Sequence, residues 1–74
     1  MKEVEYTVVA NQDEDGGYWT DVPALPGVGS QGDTLEEAIE NTKEAIALML
    51  EYLAERGEPI PHPKEVVVKV TVAA

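Results

Sequence analysis

The sequence predicts an α+β fold in which one long helix covers one face of a mostly antiparallel sheet, in the order β-β-β-α-β. Three observations carry this. Apolar and polar residues alternate with period two near both ends of the chain. Between them lies a single long stretch with helical period. Glycine and proline clusters separate the periodic segments. The 74 residues suffice for one domain, spanning 1–74.

The first strand is expected over Val4–Ala10, with Val4, Tyr6, Val8 and Ala10 on one face and Glu3, Glu5 and Thr7 on the other. Asn11–Gly17 is polar, ends in Gly-Gly and reads as a turn. Tyr18–Val22 returns as a strand rich in β-formers; with Tyr18, Thr20 and Val22 towards the helix, Trp19 falls on the opposite face. Two prolines in Pro23-Ala24-Leu25-Pro26-Gly27 remove backbone donors and break the ladder. Val28–Gly32 then has room for a short third strand, weakened by its two glycines.

The helix is expected from Leu35 to Arg56. Thr34 and Glu37 form a capping box, the hydroxyl accepting from the Glu37 amide and the carboxylate reaching back to the Thr34 amide. Leu35, Ala38, Ile39, Ile46, Met49, Leu50 and Leu53 make an apolar stripe, with Thr42 and Ala45 as small fillers. Arg56 suits the negative end of the dipole, Gly57 is a C′ stop, and Pro59 prevents continuation. Such a helix is roughly 30 Å long, enough to cross a small sheet. Glu58–Pro63 is a stiff connector, and Glu65–Val72 is the fourth strand, with Val66, Val68, Val70 and Val72 on one face. The sheet face away from the helix keeps Val9, Trp19 and Val67, which are expected to pair across a homo-oligomer interface. A core this small, with no cysteine to staple it, favours association.

The chain carries 15 acidic against 5 basic residues, a net charge of −10. Free nucleic acid and anionic membranes are therefore repelled, and a basic protein is attracted. Charged Met1–Glu5 leads into no apolar run, so neither a signal peptide nor a membrane span is expected, and the default location is the cytoplasm. Without cysteine, and with His62 as the lone histidine, thiolate and His-rich metal sites are excluded.

Asn11-Gln12-Asp13-Glu14-Asp15-Gly16 opens like a calcium-binding EF-hand loop. The pattern then fails, because Val22 stands where the bidentate glutamate is required and the flanks are strands. No metal or cofactor is expected. Asp13, Glu14 and Asp15 share one turn with no opposing carboxylate, so two-carboxylate or two-metal hydrolysis has no basis. Ser30 is not on a nucleophile elbow, and His62 is flanked by prolines. Gly27, Gly29 and Gly32 imitate a phosphate cradle, but Asp33 would repel phosphate from it. No catalytic residue is assigned. The helix surface carries like-charge pairs Glu36–Glu40, Glu40–Glu44 and Glu51–Glu55, so it serves either solubility or a cationic partner.

Several stretches together resemble the N-terminal domain of the HicB-like antitoxins of bacterial and archaeal toxin–antitoxin systems. They are Glu14-Asp15-Gly16-Gly17-Tyr18-Trp19, Val22-Pro23-Ala24-Leu25-Pro26-Gly27-Val28, Gln31-Gly32-Asp33-Thr34-Leu35-Glu36-Glu37-Ala38, Asn41, Glu44-Ala45 and Gly57-Glu58-Pro59-Ile60-Pro61. The resemblance implies a reduced RNase H-like β-β-β-α-β fold. It also implies an antitoxin that binds a small basic RNA-cleaving toxin of the HicA kind and covers its active site. Asp13, Glu14 and Asp15 are then the expected electrostatic contacts, with Tyr18 and Trp19 as anchors. Many members add a DNA-binding domain; none is seen before Ala74, so direct DNA binding is not expected. The alternative is a non-catalytic oligomeric structural or small-ligand-binding domain with no toxin.

Overall fold

The computed structural model describes residues 3–62 and 68–74. Its elements run β1 (Val9–Gln12), β2 (Tyr18–Asp21), β3 (Gln31–Gly32) and α1 (Leu35–Glu55). The three strands form one antiparallel sheet in the order β1-β2-β3, and α1 lies over β3 and β2. The α+β class and the single long helix are as expected.

The first strand differs from expectation. It runs over Val9–Gln12 rather than Val4–Ala10. Its partner decides this. Val9 pairs with Asp21, and just beyond, the Leu25 amide turns back to the Val22 carbonyl. Pro23 has no amide to extend the ladder. Residues ahead of Val9 therefore have no return strand to follow, although Tyr6 and Val8 still pack against the core. Asn11 and Gln12, expected in the turn, join the strand opposite Trp19 and Tyr18. The turn shrinks to Asp13–Gly17, closed by Asp13 N to Gly17 O at 2.7 Å and Gly16 N to Asp13 O at 3.0 Å.

The third strand is only two residues long, yet its line continues. Thr20 N donates to Ser30 O (2.8 Å) and Val22 N to Val28 O (3.1 Å). The Pro23–Gly27 segment caps this hairpin and turns Leu25 inward. Val22, Leu25 and Val28 form the buried cluster, against which Ala45, Ile46 and Met49 of α1 pack.

The helix start holds with one correction. Glu37 N donates to Thr34 Oγ1 (3.1 Å), but the Glu37 carboxylate accepts from the Asp33 amide (3.1 Å), one residue earlier than expected. Leu35, placed in the core stripe by periodicity, is exposed. At the other end Gly57 takes φ +69°. Its amide donates to Ala54 O and the Glu58 amide to Leu53 O, a Schellman closure. Arg56 is the C-cap residue itself, stacked 5.4 Å from the Tyr52 ring centre and 3.5 Å from Glu58 Oε2.

The fourth strand expected over Glu65–Val72 is not formed in its described part. Residues 68–74 lie in no strand and are exposed; Glu65, Val66 and Val67 fall outside the described residues. Alternating valines state what a strand buries, not which edge receives it.

Candidate functional site

Two threonines fix the sheet to the helix at the root of the site. Thr20 on β2 and Thr42 on α1 are buried, with their hydroxyl oxygens 2.5 Å apart. The Ser30 amide donates to Thr20 Oγ1 (2.9 Å), and Thr42 Oγ1 donates to Ala38 O (2.6 Å). A relay of donors thus runs from the β3 side through β2 to the helix, and no buried side-chain nitrogen or oxygen is left alone among the described residues.

Beside this joint, β3 meets the first turn of α1 at Gly32. A Cβ at Gly32 would lie 2.5 Å from Ala38 N, so only glycine allows the approach. Asn41 Nδ2 then donates to Gln31 O (2.8 Å), tying the helix to the strand edge.

The close approach creates an open cleft of about 460 Å³ between the β1–β2 turn, β3 and the helix start. Four carboxylates line it: Asp13 and Asp15 from the turn, Asp33 and Glu37 from the helix cap, with Tyr18 and Asn41 beside them. Asp15 Oδ1 is 3.4 Å from the Gly17 amide, and the Glu37 carboxylate is held by the Asp33 amide. Carboxylate oxygens are acceptors only. This is chemistry for cationic donors such as guanidinium or ammonium groups. Anionic ligands are opposed, because Asp33, Glu36 and Glu37 crowd the positive end of the helix dipole. No group of three or more His, Asp or Glu side chains arranged to hold a metal occurs among the described residues.

The expected partner residues are distributed as follows. Asp13, Asp15 and Tyr18 line the cleft. Glu14 stands on the outside of the same turn, next to Asp13 and Asp15. Trp19 lies on the opposite face of β2, 45% exposed, with Val9 at 43% nearby across the sheet. Val67, the third residue of the expected oligomer interface, lies outside the described residues. The sequence gives no partner role to Asp33, Glu37 and Asn41: there Asp33 is only a bar to phosphate, Glu37 a capping residue and Asn41 part of the family resemblance. Their signal was the Gly32-Asp33-Thr34 run, since a glycine next to a helix cap permits the contact that brings them to the turn. Also unforeseen is an apolar groove between Val28 and the helix residues Ala45, Leu48, Met49 and Tyr52, where Leu48 is 66% exposed.

The family described as HicB_like antitoxin of bacterial toxin-antitoxin system matches residues 6–72. A UPF0150 protein of Thermoplasma acidophilum is 50% identical over 58 residues, covering 78% of this chain and 84% of the relative. Antitoxin HicB 1 of Photorhabdus laumondii is 38% identical over 63 residues, 85% of this chain but 41% of that longer protein. Among solved structures, the N-terminal domain of Burkholderia pseudomallei antitoxin HicB superposes with a TM-score of 0.72 at 37% identity, over 80% of this chain and 69% of that one.

Proposed function

Since the chain belongs to the HicB-like antitoxin family, we propose that it acts as the antitoxin of a toxin–antitoxin pair by binding, without catalysis, a small basic toxin of the HicA kind and covering its RNA-cleaving site. The observation that carries this reading is the cleft where Asp13, Asp15, Asp33 and Glu37 converge beside Tyr18, in a chain of net charge −10. An enzyme that binds RNA presents cationic side chains to phosphates. A set of carboxylates competes for the same side chains and speeds encounter through long-range attraction. Glu14 extends the acidic edge of the turn, and Tyr18 supplies an aromatic wall for a guanidinium. The setting is the cytoplasm, where RNA is cleaved.

The test is co-expression with the protein encoded next to this one, followed by titration calorimetry. The complex should form with submicromolar affinity. Asp13→Asn with Asp15→Asn should weaken it at least tenfold while leaving the circular dichroism unchanged. A neighbour that is acidic, harmless and unbound defeats the reading.

A second reading, an oligomeric structural or small-ligand-binding domain, is favoured by Val9 and Trp19, both exposed on the outer sheet face, to which Val67 would add. Two such faces meeting would remove an exposed tryptophan from water. Trp19→Ser would then abolish self-association in sedimentation equilibrium; an unchanged dimer refutes that face.

A further inference from the structure

The acidic cleft does not end at Asn41. Asn41 lines it, and Ala45, one helical turn or roughly 6 Å further along, lines the apolar groove with Leu48, Met49 and Tyr52. The opposite wall is continuous in the same way. Ser30, Gln31 and Gly32 border the cleft, and Gly27, Val28 and Gly29 border the groove. One crevice therefore follows the joint between the β3 line and α1 from Glu37 to Tyr52, over roughly 22 Å. Its upper end is acidic. Its lower part is apolar and has a volume of about 330 Å³.

The lower part is suited to receive side chains. Leu48 is 66% and Tyr52 51% exposed, at i and i+4 on one stripe of the helix. Large apolar residues left in water on one helix face mark a contact site, and a groove beside them fits a helix. The strand side spends its backbone inside the hairpin: Val28 N donates to Leu25 O, and Val28 O accepts from Val22 N. An occupant at Val28 is thus held through side chains and not added as a strand.

The solvent-side border of the groove is charged. Glu37, Glu44, Glu51 and Glu55 recur at intervals of seven, seven and four, and share the exposed stripe of α1 next to Leu48 and Tyr52. Lys43 stands two residues before Ala45, hence on the far side of the helix, where it pairs with Glu40 at 3.1 Å. Arg56 ends the acidic stripe, stacked on Tyr52 and paired with Glu58.

We propose that this crevice takes an amphipathic helix of the cationic partner, its apolar residues at i, i+3 or i+4 and i+7 seated against Leu48 and Tyr52 and its Lys or Arg side chains on the acidic stripe. The most basic end of that helix lies at the Asp13–Asp15 turn, because carboxylates converge there and Arg56 stands at the other end. A second copy of this chain is opposed as occupant: two such helices packed together would set acidic stripes side by side, in chains of net charge −10 each. The inference rests on the antitoxin reading and adds an apolar half to its contact. Charge then sets the rate of approach, and the groove sets the residence time.

The protein encoded next to this one is the probe, titrated by calorimetry. Leu48→Ser and Tyr52→Ser should each raise its dissociation constant at least tenfold, with circular dichroism and urea midpoint unchanged. Glu51→Gln with Glu55→Gln should weaken binding at least fivefold. Glu3→Gln with Glu5→Gln makes the same change in net charge ahead of β1 and should weaken it less than twofold. Unchanged affinity in the Leu48→Ser and Tyr52→Ser proteins overturns the proposal and leaves the antitoxin reading standing. Equal losses from the two charge pairs also overturn it, because net charge alone would then act. So does a homodimer of the natural chain that Leu48→Ser dissociates in sedimentation equilibrium, since a second copy would then fill the groove. A natural chain that fails to bind its neighbour overturns the antitoxin reading and this inference together.

Discussion

Thr20 and Thr42 hold the sheet to the helix with hydroxyls where a larger domain would use methyl groups, and the two are not equivalent. Thr20 Oγ1 is the acceptor for the Ser30 amide; Thr42 Oγ1 is the acceptor for Thr20 and donates to a helix carbonyl that already has a helical partner position. Thr20→Val therefore leaves a backbone amide without its acceptor and should cost about 2 kcal/mol. Thr42→Val lets the Thr20 hydroxyl rotate to Ser30 O at 3.3 Å and should cost about 1 kcal/mol or less. Urea denaturation of both variants checks the order; equal losses would contradict the relay. Tyr6 gives a second prediction at this scale. Burial raises the pKa of its phenol above 10.0. The fold thus favours the protonated form that donates to Pro61, so this contribution is intact below pH 10 and is lost as pH rises through the raised value. Stability measured between pH 9 and 11 should fall more steeply for the natural sequence than for Tyr6→Phe.

At the scale of elements, legibility followed locality. Cap, stripe and stop of α1 are written within a few residues of where they act, and the helix was readable almost to its ends. Both ends allow a quantitative check. Thr34→Ala should cost about 1 kcal/mol by exposing the Glu37 amide. Gly57→Ala should cost about 1–2 kcal/mol, because φ +69° is a conformation an L side chain resists. Thermal melts that show neither loss would mean the helix ends fray in solution. Strands are less legible, because a strand ends where its partner does. Pro23 and the Val22–Leu25 turn end β2, and that displaced β1 from Val4–Ala10 to Val9–Gln12. The acidic cleft was half legible for the same reason. Asp13 and Asp15 announce themselves in sequence, whereas Asp33 and Glu37 join them only through the contact of Gly32 with Ala38 across the fold.

At the scale of the whole molecule, one charge imbalance acts on two associations with opposite sign. Each chain carries −10, so two copies repel on approach, while a basic toxin is drawn in. Dissolved salt screens both effects, the Debye length falling from about 10 Å at 0.1 M to about 3 Å at 1 M. Self-association through the exposed apolar face of Val9 and Trp19 loses repulsion faster than attraction as salt is added. Its dissociation constant should fall severalfold between 0.05 and 0.5 M sodium chloride in sedimentation equilibrium. Association with the cationic partner rests on Asp13, Asp15, Asp33 and Glu37, and its rate constant should drop at least tenfold over the same range in stopped-flow fluorescence of Trp19. Parallel slopes would be inconsistent with this division of labour. If both associations weakened with salt, the homodimer would be held by ion pairs and not by the apolar sheet face. If both strengthened, the partner would be recognised through the apolar groove at Leu48 and Tyr52, and the acidic cleft would serve solubility alone.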